Sequence, residues 1–134
     1  MNLKMGLLAY LVLVVLVSGC IFSSERTLGN YNLTVRGRNP IIHQDIPIPA
    51  GVKNITIEYT NASVLETPIL KANVGYFRFS TFNDVANREK DVDSELIHTN
   101  KTPINGNLTL TVGNAKKIRL TAMNSKGIIK VIAN

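Results

Sequence analysis

The sequence contains one cysteine and no tryptophan. With Cys20 alone, neither an internal disulfide nor a thiolate metal site can form. Aromatic side chains are scarce, four phenylalanines and four tyrosines, which leaves little for a ligand-stacking platform. The only histidines, His43 and His98, lie far apart and in no metal-ligand spacing. Neither Ser63 nor Ser94 has the surroundings of a nucleophile elbow, and no catalytic constellation stands out, so no enzyme activity, metal or other cofactor is expected. Acidic residues are outnumbered, giving a formal charge of +6. That balance favours anionic surroundings such as acidic lipid headgroups. Nucleic acid is not the expected partner, because the densest basic groups, Lys116-Lys117 and Arg36-Gly37-Arg38, are small and form no stripe.

Charge is also missing from a long stretch near the start. Lys4 provides a positive leader region, and residues 5–17 follow without a charge or a strongly polar group. Ser18 and Gly19 are small and precede Cys20. This order is that of a secretory signal over residues 1–19. The alternative is an uncleaved transmembrane helix, because the uncharged stretch from Met5 to Ser24 is 20 residues long. Either way the remaining domain lies outside the membrane.

The segment Val17-Ser18-Gly19-Cys20 resembles the lipobox of prokaryotic lipoproteins, a family with archaeal as well as bacterial members. The resemblance covers the first 20 residues only. It implies that the cysteine thiol is lipidated, that cleavage falls just before Cys20, and that Cys20 becomes the mature N-terminus. It implies a partner, the lipid bilayer, and a location on the outer face of the cell membrane. Removing Lys4 with the leader leaves a mature charge of +5.

The rest of the chain is strand-like. Residues 20–29 look like a short tether, and 30–134 like a single domain. The mature part holds 33 β-branched residues, 8 Val, 14 Ile and 11 Thr, side chains that suit strands and lose entropy in helices. Leu108, Leu110 and Val112 alternate with polar neighbours, as do Ile118, Leu120 and Ala122. Turns are expected at Gly113-Asn114 and at residues 124–127, with Gly127 supplying positive φ, so that residues 107–132 form a three-stranded meander. Upstream, Leu33 and Val35, then Ile55, Ile57 and Tyr59, then Phe77 and Phe79 alternate in the same way, and a short strand is expected near Glu95 to His98. Residues 41–49, with Pro47 and Pro49, suit an edge strand or an extended loop rather than a central strand. Residues 83–95 are highly charged and read as a surface excursion with at most one or two helical turns. The sum is an all-β, antiparallel β-sandwich of seven or eight short strands. In texture, the segment from Pro49 to Tyr59 and the C-terminal strands look like small β-sandwich domains of surface lipoproteins. No diagnostic residue carries that likeness, and no binding site transfers with it.

Candidate sites rest on the exposure expected of an outside domain. Five Asn-x-Ser/Thr sequons, at Asn32, Asn54, Asn61, Asn100 and Asn107, are acceptors for N-glycosylation if the host has such a system. Asp91, Asp93 and Glu95 would share one side of an extended segment, a weak calcium pattern without the glycine and distal glutamate of an EF-hand loop. Tyr76 and Arg78 lie opposite Phe77 and Phe79 and are the candidate ligand-binding pair. The function expected is that of a non-enzymatic, lipid-anchored domain with a structural or protein-interaction role in the cell envelope. The alternative is a carbohydrate-binding module for surface glycans.

Overall fold

The computed structural model describes residues 25–37, 41–65 and 75–134. Among them are eight strands and no helix: β1 (Arg26–Val35), β2 (Ile41–Pro47), β3 (Asn54–Val64), β4 (Gly75–Val85), β5 (Arg88–Thr99), β6 (Ile104–Thr111), β7 (Lys117–Met123) and β8 (Ser125–Ala133). They form two four-stranded sheets, a front sheet in the order β1-β8-β3-β6 and a back sheet in the order β2-β7-β4-β5. Every neighbouring pair is antiparallel. First pairs with last, second with seventh, third with sixth and fourth with fifth, so the chain is one long ribbon rolled into a sandwich, a jelly-roll winding.

That winding replaces the meander expected at the C-terminus. β6 and β8 belong to the front sheet, whereas β7 lies in the back sheet between β2 and β4. Turns after β6 and β7 therefore cross between sheets. Gly113 takes φ 52° in the first, closed by the Ala115 amide donating to the Val112 carbonyl at 2.8 Å. In the second, Asn124 alone takes φ 42°. Gly127, expected to supply the positive φ, is instead inside β8. A Cβ there would lie 3.1 Å from the Ala62 Cα, so close backbone approach is what favours glycine.

Residues 83–95 are strand, not helix. They form the β4–β5 hairpin, whose two central turn residues, Ala86 at φ 51° and Asn87 at φ 64°, match the twist of the paired strands. β1 begins at Arg26 and pairs with Ala133, so residues 26–29, read from sequence as tether, belong to the sandwich. Of the two readings open for residues 41–49, edge strand or loop, the edge strand is observed, as β2 over residues 41–47.

Alternation builds the core as elementary strand geometry requires. Leu33 and Val35, Ile55 and Ile57, Phe77 and Phe79, Ile118 and Leu120, and Ile129 and Val131 point inward and are buried. Each fully buried side chain of this kind contributes roughly 1.5–3 kcal/mol against leaving it in water. The two open sides of the sandwich are closed differently. On one, Tyr31 of β1 meets His43 of β2 edge to face, ring centroids 6.2 Å apart. On the other, the Thr111 amide donates to the Asp93 carboxylate at 2.8 Å, and Thr81 Oγ1 donates to the Thr111 carbonyl at 2.7 Å. The sandwich has two poles. Arg26, the C-terminal strand end and the β4–β5 turn share one, and the ends of β1, β3, β5 and β7 share the other.

Candidate functional site

Sequence expectations sort onto three surfaces. On the outer face of the back sheet, Tyr76 and Arg78 sit half-buried and point away from Phe77 and Phe79, as expected. Arg78 is engaged there, its guanidinium donating to Asp91 at 2.6 Å. The cross-strand neighbour of Tyr76 on β5 is His98, while Tyr31 and Tyr59 pack against the core. Phe82 shares the outward parity of Tyr76 yet is 1% exposed and stands outside the core cluster. Its cover is Arg119, whose guanidinium carbon lies 4.4 Å from the ring centroid.

Arg119 is the hub of this face. It donates through Nε and Nη2 to both Asp45 carboxylate oxygens at 2.8 Å, and to both oxygens of Glu89. Asp45 is on edge strand β2 and Glu89 on edge strand β5, so one side chain ties both edges of the back sheet to its middle. The hydrogen bonds from Arg119 hold the carboxyls of Asp45 and Glu89 below their usual range, outweighing the opposing effect of desolvation. The same contacts push the guanidinium further up.

The calcium pattern does not survive folding. A register shift at Thr81/Phe82 inserts Val92 as a bulge, which parts Asp91 from Asp93. Asp91 turns to Arg78 on the outer face, and Asp93 turns to Thr111 of the opposite sheet. His43 and His98 stand on opposite edges of the back sheet, about 14 Å apart at the usual strand spacing. Among the described residues no three His, Cys, Asp or Glu side chains gather into a metal-sized group.

The front sheet differs in composition. Its outer face carries Asn32 and Thr34 on β1, Asn54, Thr56, Glu58 and Thr60 on β3, and Asn107 and Thr109 on β6, with Lys126, Ile128 and Lys130 on β8 between them. All five sequon asparagines are exposed. Asn32, Asn54 and Asn107 share this face, Asn61 lies at a bulge in β3, and Asn100 follows β5. The hydroxyl partner of Asn61 is Ser63, which is 2% exposed, unlike Thr34, Thr102 and Thr109 of other sequons. Cys20 and the leader lie outside the described residues.

At the pole away from Arg26 a cleft of about 360 Å³ opens, lined by Arg36, Ser63, Val64, Leu65, Lys101, Pro103 and Lys126. Three of those seven side chains are cationic, and none is acidic. The Ser63 hydroxyl is buried with no hydrogen-bond partner. A β-bulge places it. Register slips between Thr60 and Ser63, so Asn61 takes φ 53°, Ala62 turns into the core, and Ser63 comes opposite Lys126. A second hollow, of about 490 Å³, lies by the β4–β5 hairpin among Asn83, Val85, Lys90, Asp91, Val92 and Asn114. Although larger, it offers less chemistry, because its one carboxylate, Asp91, is already paired with Arg78.

Sequence reasoning missed this basic cleft. Arg36 was visible only as half of a small cluster, and Lys126 is 90 positions further along the chain. Nothing in the linear pattern joins them. No curated protein and no protein-family model matches the chain.

Proposed function

We propose that the protein is a non-enzymatic binding domain, lipid-anchored through Cys20 on the outer face of the cell membrane, that engages an acidic envelope protein through the pole facing away from the bilayer. The observation that carries this reading is polarity. Arg26 opens β1 at one pole, and the cationic cleft lies at the other. Only residues 21–25 separate Cys20 from Arg26, a reach of at most roughly 22 Å when fully extended. The proximal pole therefore stays near the headgroups. β3 then runs 11 residues toward the cleft, which raises the distal pole by roughly 35 Å more. Positive charge on the described lining residues, held out from the membrane, favours and steers an acidic partner.

The carbohydrate alternative has less support. Its aromatic candidate, Tyr76, is half-buried and its companion Arg78 is occupied by Asp91. Sugar attached to the protein is a separate matter. Asn32, Asn100 and Asn107 combine an exposed asparagine with an exposed threonine, which suits them as acceptors in a glycosylating host.

The test is cross-linking in native membranes followed by affinity capture and mass spectrometry. Wild type and Lys90→Gln, altered at the proximal pole, are expected to capture the same protein. A distal variant, Arg36→Gln with Lys126→Gln, is expected to lose it. Capture that is indifferent to the distal pole, or recovery of surface glycan in place of protein, overturns the reading.

A further inference from the structure

We infer that the cleft formed by Arg36, Ser63 and Lys126 is an oxyanion-binding site, which takes a carboxylate or phosphate group. This deepens the reading above, because it names the chemistry by which the distal pole would hold its partner. Ser63 carries the argument. A buried hydroxyl without a hydrogen bond loses its water and gains nothing in return, and native proteins keep few such groups. Ser63 is 2% exposed and its Oγ has no partner. An alanine would fill the same space without that penalty.

The fold goes out of its way to put the hydroxyl there. Inward residues of β3 follow the odd positions Ile55, Ile57 and Tyr59, and continued alternation would turn Ser63 into the core. The bulge reverses this: Ala62 becomes the core residue and Ser63 faces Lys126 across the β3–β8 pair. Lys126 is in turn flanked by Thr34 of β1. Arg36, just past the end of β1, lines the same hollow and is exposed. A residue with a hydroxyl, one with an ammonium and one with a planar guanidinium thus line one hollow. That donor set fits a group with several oxygens and negative charge. A neutral apolar ligand would leave all three unsatisfied.

The experiment uses the full chain in detergent micelles and follows backbone amide shifts at constant ionic strength. One titration adds inorganic phosphate and another adds a tripeptide of glutamate. Saturable shifts at Ser63, Val64 and Lys126 are expected with at least one of them. A response to phosphate alone identifies a phosphate group as the ligand, and a response to the peptide alone identifies a carboxylate. Arg36→Gln with Lys126→Gln should weaken binding by tenfold or more, on the order expected for charged hydrogen bonds. Ser63→Ala should weaken it several-fold without lowering Tm. Because Arg36 and Lys126 are exposed, the double variant keeps its fold. Absence of saturable binding to either probe overturns the inference, as does equal binding by wild type and both variants. If capture in membranes still depends on the distal pole while neither probe binds, the oxyanion site fails and the proposed function stands.

Discussion

The two outer faces of the sandwich use polar residues for opposite ends. On the back sheet, charges are spent on the protein itself. Arg119 joins Asp45 to Glu89 over the ring of Phe82, Arg78 pairs with Asp91, and Lys117 lies 3.5 Å from Asp84. On the front sheet the rows are mainly Asn and Thr, and cations stand at their distal end beside a hydroxyl that bonds to nothing. One face closes over its own chemistry while the other leaves it available. On the function proposed above, cohesion and recognition are divided between the sheets, so a change on one side need not disturb the other.

The largest effect should come from removing what the back face hides. Phe82→Ala is expected to cost about 3 kcal/mol in equilibrium denaturation, as for other buried aromatics. Ile128→Ala, at a position 38% exposed on the front face, should cost less than about 1 kcal/mol. Equal losses would erase the contrast. Next, Arg119→Met keeps the side-chain stem but removes the guanidinium, and should cost about 2 kcal/mol at neutral pH. It should also change the response to acid. Asp45 and Glu89 have folded pKa values below their usual ones, so the stability they add is complete above the ordinary carboxylate range. That stability is lost as pH falls through the lowered folded values. Wild type should therefore lose Tm on strong acidification, and Arg119→Met should lose less of it.

Smaller effects probe the front face. Ser63→Ala should raise stability by about 1 kcal/mol, since it deletes an unsatisfied hydroxyl. A loss of that size would show that Ser63 serves the fold, not a ligand. Thr109→Val, within the polar rows, should stay within about 0.5 kcal/mol of wild type in the same denaturation assay.

Strand identity was legible wherever one face of a strand is buried. Ile55 and Ile57, Phe77 and Phe79, and Ile118 and Leu120 each announce a period of two, and the structure places all six in the core. Prolines excluded a central strand over residues 41–49 but left edge strand and loop open, and β2 is an edge strand. Only the end of β5, near Glu95 to His98, was legible as strand; the rest is an exposed edge that lacks the hydrophobic alternation identifying a strand, and its charges resemble a solvated helix. Its turn carries Ala86-Asn87 and no glycine, which removed the usual hairpin signal. Pairing was illegible for another reason. Adjacent strands joined by short turns suggest a meander, but single positive-φ residues at Gly113 and Asn124 let the chain cross between sheets instead. The cleft depends on all of this at once, since the β3 bulge and the β1–β8–β3 order bring Arg36, Ser63 and Lys126 together.

Anchoring is the premise that gives the two poles their meaning, and intact mass spectrometry of the protein from its native membranes tests it most directly. The account predicts a chain that begins at Cys20, lacks residues 1–19 and carries the added mass of lipid on that residue. A full-length chain with a free Cys20 thiol would contradict it.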